Sequence, residues 1–385
     1  MRKICYILLT LVLIGMVNCS QEGDKTCTVV EINGVKVYKN RDKPSQKDLM
    51  IVPKKVFTIT GEDQRITDPG RKFIWPRYLD IDSQGNIYIV DSPSASVKKF
   101  DRTGKFIKSF GKKGSGPGEM RYPFMVSVLD NVVYVTDPAE RRMVTFDTEG
   151  NFIRNIKLTQ GIPNFISTVG KDKFTAFMSR FEQKEGIPYH TFDLLLMNSQ
   201  FKEIAVLSKF ESKVDRTYND FHDRYTAYAV GKDKIYAAEN STRRYKINVF
   251  DFTGKLLYSI EKDYKKVRFN QDELEELNHT LKSLFKKAGR LTYQPIKKSY
   301  KKAVNNLYCD KEGRLLAAFS IKRDETNQFD FLVDVFKDGI FLGRIKLDIA
   351  RAYDFIKLQD RKIFFKGNRI FIIDEPEPAV TVFEY

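Results

Sequence analysis

Gly85-Asn-Ile-Tyr-Ile-Val-Asp91, Val97-Lys-Lys-Phe-Asp101, Gly104 and Phe106-Ile-Lys-Ser-Phe-Gly111 return 46 residues later as Val132-Val-Tyr-Val-Thr-Asp137, Met143-Val-Thr-Phe-Asp147, Gly150 and Phe152-Ile-Arg-Asn-Ile156. Tyr88, Asp91, Phe100 and Gly104 recur as Tyr134, Asp137, Phe146 and Gly150, and Pro76 and Pro123 each lead in. Within each unit, apolar residues alternate with polar ones in short runs closed by Gly or Asp, the pattern of antiparallel strands. A repeat of about 40–50 residues holding four strands is one blade of a β-propeller.

The same pattern continues down the chain. Blade 3 is read from Phe165 to Phe210, blade 4 from Tyr225 to Ile260 and blade 5 from Ala303 to Leu347. From Lys362 to Tyr385 only three strands remain: Ile363 to Lys366, Arg369 to Asp374 and Val380 to Tyr385. Lys55 to Gly61 alternates as Phe106 to Gly111 does, so it is expected to supply the fourth strand and close the ring, which leaves no exposed sheet edge. The expected fold is an all-β, six-bladed propeller over 55–385, with one helical insertion between blades 4 and 5. Val29 to Tyr38, centred on Asn33-Gly34, reads as a separate small hairpin within a tether segment of 19–54.

Residues 1–18 read as an export signal: Arg2 and Lys3 precede the apolar run Tyr6 to Val17, which is too short for a transmembrane helix. Met16-Val17-Asn18-Cys19 resembles a bacterial lipobox, in which the cysteine is lipidated after cleavage. Asn18 departs from the small residue usual at that position. The resemblance implies lipidation of Cys19 and a membrane-anchored protein of the bacterial cell envelope. After cleavage Cys27 and Cys309 remain, far apart in sequence, and are expected as free thiols.

Composition narrows the function classes. With only His190, His222 and His279, histidine-rich metal centres are excluded. The net charge is +16, falling to +14 once Arg2 and Lys3 leave with the signal. A basic surface favours anionic partners without choosing among them. Export argues against nucleic acid.

In a four-stranded antiparallel blade the first and third turns share one side, and the second turn and the link to the next blade share the other. The first set is short, as at Ser83-Gln-Gly85 and Arg102-Thr-Gly104. The second holds the insertions 111–122, 180–189, 211–224, 261–302, 321–328 and 348–361, so that face is expected to bind. Arg77, Arg121, Arg141, Arg142, Arg243 and Arg244 fall near strand ends there, and a ring of guanidinium groups around the channel mouth would suit an anionic group.

The largest insertion, about 265–302, carries Leu274, Leu277, Leu281, Leu284 and Phe285 at helical spacing over Gln271 to Lys287, with Asp272, Glu273 and Glu275 in the first turn. Residues 277–309 hold Lys282, Lys286, Lys287, Arg290, Lys297, Lys298, Lys301 and Lys302 and no acid. A lid on the propeller mouth is the plain expectation for the helix. An anionic membrane surface, acidic polymer or acidic protein is the partner its charge would suit.

Asn86-Ile-Tyr-Ile-Val-Asp91, Phe100-Asp101, Gly104 and Phe110-Gly-Lys-Lys-Gly-Ser-Gly-Pro-Gly-Glu119 before Pro123 resemble the NHL repeat. The match is close over 76–158, fair over 225–260 and weak elsewhere. Arg142 fits the arginine often found five residues after the strand-ending Asp, and Ser96 does not. The resemblance implies a propeller lipoprotein of bacterial envelopes, a group defined by fold rather than activity. Some similar propellers hold a divalent metal in the channel and act as lactonases or lyases. Asp80, Asp82, Asp91, Asp137, Glu239 and Asp374 are the acids such an enzyme could use, but Asp91, Asp137 and Asp374 stand where strands turn and read first as turn caps. No nucleotide loop or nucleophile elbow is present. The expectation is a monomeric, non-enzymatic binding or scaffolding module without a cofactor, with the metal-dependent enzyme as the alternative.

Overall fold

The structure, a computed structural model, describes residues 25–60, 72–214, 225–287, 293–297, 299–323, 331–349, 362–374 and 378–385. Six antiparallel sheets follow one another along the chain. Blade 1 is Pro76–Ile81, Ile87–Asp91, Ser96–Phe100 and Phe106–Phe110; blade 2 is Met125–Leu129, Val132–Asp137, Arg142–Asp147 and Phe152–Lys157. Blade 3 is Ile162–Val169, Lys173–Lys184, Ile187–Asn198 and Glu203–Ser208, and blade 4 is Tyr228–Val230, Ile235–Ala238, Tyr245–Phe250 and Leu256–Lys262. Blade 5 is Val304–Cys309, Leu315–Phe319, Leu332–Lys337 and Ile340–Lys346. In blade 6, Lys362–Lys366, Arg369–Asp374 and Ala379–Glu384 are completed by Lys54–Thr60, which pairs with the C-terminal strand from Ala379↔Thr60 to Glu384↔Lys54.

The first strands of the blades neighbour one another in circular order, and blade 6 returns to blade 1. The fold is a six-bladed propeller. Alternation along each strand sends side chains to both faces of its sheet, and the faces meet in six apolar cores, one per seam. Each blade has a bulge where its third strand meets its fourth, before Phe100, Phe146, Met197, Phe250, Phe336 and Phe383. The bulge adds local twist and turns these large side chains into the seams. All six are buried.

Two sequence expectations change. The hairpin Cys27–Ile32 and Val35–Asn40 is not separate: Val35–Asn40 pairs in parallel with Leu256–Lys262, so blade 4 has six strands. Parallel pairing across more than two hundred residues leaves no local signature, whereas the Asn33-Gly34 turn does. Residues 180–189, expected as a loop, belong to two twelve-residue strands joined at Glu185-Gly186, and Glu211–Lys213 pairs with this arm. Its polar residues obscured the strand because the arm is solvent-exposed on both faces near its tip.

Residues 1–24, including Cys19, lie outside the described residues, as do much of the insertions 211–224, 321–328 and 348–361. No described helix is long and apolar enough to cross a membrane. Cys27 and Cys309 are free thiols.

Candidate functional site at the channel mouth

The inner strands of blades 1 and 2 begin alike because each is held by a carboxylate at the end of its blade's second strand. Asp91 accepts the backbone N–H groups of Ile74 (3.2 Å) and Trp75 (2.6 Å), and Asp137 accepts those of Arg121 (3.1 Å) and Tyr122 (3.0 Å). Both acids are fully buried. Their place at strand ends predicts turn caps; instead each carboxylate holds the backbone that leads into its blade's first strand, and Asp137 makes no side-chain cap on the turn that follows it. The consequence is an exposed aromatic ring before each leading proline, Trp75 at 37% and Tyr122 at 42% exposure.

Arg77, at the start of the innermost strand, lies between aromatic rings: its guanidinium carbon is 4.2 Å from the Trp75 ring centre and 4.7 Å from that of Phe124. Stacking on two rings fixes a planar guanidinium without consuming its in-plane donors. Nε is enclosed and makes no hydrogen bond, and no carboxylate among the described residues lies within ion-pair distance. Arg77 is half-buried.

The other expected arginines are placed differently. Arg142 is buried; Nη1 donates to Ser115 O (3.0 Å) and Nη2 to Glu119 O (2.9 Å), with Asp137 at 3.5 Å, so it bolts the Gly-rich link to blade 2. Arg121 pairs with Glu140 at 3.2 Å. Arg141 is exposed in a left-handed position (φ 50°) after the turn Pro138–Glu140. Arg244 is paired with Glu239, and Arg243 is exposed beside it. Arg77, Arg121, Arg141 and Arg142 therefore gather at the blade 1–2 side, while Arg243 and Arg244 stand on blade 4, across the ring. Sequence spacing placed these side chains at strand ends but carried no signal of which had acidic neighbours. Trp75 and Phe124, which complete the site, were not singled out; their signal was the position of each relative to a leading proline.

Below the mouth, side chains bridge the axis. Tyr78 in blade 1 stacks edge-on against Phe364 of blade 6 (4.8 Å) and donates to Ile166 O in blade 3 (3.3 Å). Burial pushes its phenol well above the ordinary range, and burial pushes Tyr228 up to about 12. Asp80 pairs with Lys366 (2.7 Å) and accepts Val128 N–H (2.9 Å). Asp82 caps its own turn through Gln84 and Asn86. Among the described residues no three His, Cys, Asp or Glu converge as metal ligands would.

The helix Gln271–Lys287 starts in a reciprocal cap: Glu273 N–H donates to Asn270 Oδ1 (2.8 Å) and Asn270 N–H to Glu273 Oε2 (2.9 Å). Glu273 also pairs with Lys301 and with Arg323 (3.4 Å), which docks the helix on blade 5. Leu277 and Leu281 bury against Ile296, a small core of its own. Lys301 and Lys302 face inward, Lys302 donating to Tyr225 O (2.8 Å). Lys282, Lys286 and Lys297 are exposed, as are Lys265, Lys266 and Arg268, which the sequence reading did not single out. Lys287 ends the helix; Arg290 and Lys298 lie outside the described residues.

The profile of a family described only as a domain of unknown function, DUF4934, matches residues 81–229. No curated protein matches. Among solved structures, a Bacteroides fragilis protein described as exported superposes with a TM-score of 0.51 at 10% identity, covering 90% of this chain and 98% of that one. Virginiamycin B lyase from Staphylococcus aureus gives 0.38 at 11% identity (81% and 95% covered), and a luciferin-regenerating enzyme 0.41 at 13% (86% and 94%). At such identities the likeness is one of fold, and the two lower scores carry no functional argument.

Proposed function

We propose that this chain is an exported, lipid-anchored, NHL-like propeller that binds rather than catalyses, recognising an anionic group through the long-loop face. The observation that carries this reading is Arg77: a guanidinium clamped between Trp75 and Phe124 at the channel mouth with no acidic partner among the described residues, where Arg121, Arg142 and Arg244 each have one. A preorganised, stacked guanidinium loses little entropy on gripping a carboxylate or phosphate and can do so with two parallel hydrogen bonds. Export is supported by the basic-then-apolar N-terminus and by the description of the Bacteroides fragilis protein of like fold as exported. Anchoring is supported by the lipobox resemblance at Cys19.

Trp75 is the sole tryptophan, so tryptophan emission excited to the red of tyrosine absorption reports on this site alone. Titration with succinate and inorganic phosphate, the simplest carriers of the two anionic groups, is expected to change Trp75 emission saturably. Arg77→Met keeps the apolar stem and removes the charge. It should weaken binding by roughly 2 kcal/mol, about thirtyfold. Emission indifferent to both anions, or a response equal in R77M, would refute the reading.

A further inference from the structure

The tether and the basic insertion leave the propeller at one point. Arg41 N–H donates to Thr26 O (2.9 Å) and Asp263 N–H to Asn40 O (2.9 Å), while Asn40 pairs with Cys27 on one side and Lys262 on the other. Residues 26 and 263 therefore flank the same dipeptide on the outer rim at the seam of blades 4 and 5. Residues 19–24 can extend at most about 20 Å, so an anchor at Cys19 keeps this rim near the bilayer.

The insertion that rises from the rim is polarised. Leu277, Leu281 and Ile296 turn inward into their own core, and the paired cations Lys301 and Lys302 turn onto the propeller. Outward stand two basic groups. Lys266 and Arg268 lie over the Tyr300 ring, each at 5.3 Å, with Lys265 beside them. Further on, His279, Lys282 and Lys286 recur on one exposed helical face, with Lys297 following. The exposed acids are Asp263 at the foot of the insertion and Asp272 and Glu275 within the first five residues of the helix.

We propose that Lys265, Lys266, Arg268, Lys282, Lys286 and Lys297 form a docking surface for the anionic phospholipid headgroups of the bilayer that holds the anchor. The inference rests on the anchored reading above. The attraction between basic side chains and an anionic leaflet reaches only about a Debye length, roughly 8 Å at physiological salt. A short tether supplies that proximity and makes docking effectively intramolecular. In a ring of six, blade 1 stands opposite blade 4. A molecule resting on its blade 4–5 rim therefore holds Trp75 and Arg77 on the far side, open to ligand.

The test uses the mature chain with Cys19→Ser, so that no lipid contributes, sedimented with vesicles of phosphatidylcholine alone or mixed with phosphatidylglycerol. Partition onto the anionic vesicles is expected to exceed that onto neutral ones by about tenfold or more, to fall with salt, and to vanish when Lys265, Lys266, Arg268, Lys282 and Lys286 are changed to Glu. Changing the four lysines among them to Arg should preserve it. Equal partition on both vesicles, indifference to charge reversal, or binding to soluble polyglutamate as strong as to vesicles would overturn the proposal. The Trp75 titration in the charge-reversed chain separates the two readings: a preserved anion response with lost vesicle binding is the expected result. Loss of both would mean that the variant is misfolded or that one shared surface does both jobs, and circular dichroism of the variant decides between these, the second overturning the proposal.

Discussion

Asp82, Asp101, Asp147, Asp251 and Asp310 perform one local task. Each carboxylate accepts backbone N–H groups on the following residues, and in each turn the N–H of the glycine three residues on donates to the acid's own carbonyl. The glycines are needed for φ near +80°, but some also make room for the neighbouring blade. A Cβ on Gly150 would lie 2.7 Å from the Phe110 ring of blade 1, whereas one on Gly313 would meet nothing within 4 Å. Gly313→Ala should therefore cost only the left-handed conformation, about 1–2 kcal/mol. Gly150→Ala should cost that and roughly 1–3 kcal/mol more for overpacking. Urea midpoints of the two variants give the comparison; equal losses would mean that the seam does not resist a methyl group there. In blade 3, Phe201 occupies the glycine position at φ 57° and is buried, stacked on Phe174 at 5.0 Å. That substitution is one reason the repeat is faint in blade 3.

At the scale of elements, strands whose partners lie next in sequence could be read directly, because alternation plus an Asp-Gly turn specifies both the strand and its neighbour. The closing strand Lys54–Thr60 was legible for the converse reason: three strands at the C-terminus left one place empty. What sequence did not reveal was where the N-terminal hairpin goes, since Asn40 has no feature that marks its partners in blade 5. Its side chain is buried, donating to Gly339 O (2.9 Å) and accepting Phe341 N–H (2.8 Å). Asn40→Ala would strand both backbone groups and is expected to destabilise by about 2–3 kcal/mol. Thermal unfolding checks this, and a loss below about 0.5 kcal/mol would mean that water replaces the amide. At the candidate site the limit was similar. Arg77 and Arg142 look alike in sequence, and only the packing shows one stacked between rings, with no acidic partner among the described residues, while the other is sealed against carbonyl oxygens.

For the whole molecule, closure is the dominant constraint. Residues 35–60 run outside three successive blades: Val35–Asn40 on blade 4, Ser45 and Gln46 bonded to Phe341 O and Leu342 O of blade 5, Ile51 in the seam of blades 5 and 6, and Lys54–Thr60 in blade 6. Tyr38 also fills the space beside Gly339, as Phe57 does beside Gly104 and Phe110 beside Gly150. The hairpin thus stands in for an outer strand in the seam of blades 4 and 5. Two deletions distinguish belt from clasp. Removing residues 25–53 takes away the hairpin and Ile51 but leaves the closing strand. That variant is expected to remain a folded monomer with a lower urea midpoint. Removing 25–60 also exposes the outer edge of Ala379–Glu384 and strips Phe57 and Ile59 from the seam with blade 1. An unpaired edge beside an opened core should drive association, so this variant is expected to run as oligomer or aggregate by size-exclusion chromatography. If both deletions gave monomers of equal stability, the sixth blade would be holding together without its borrowed strand, and closure would not be what makes the ring cooperative.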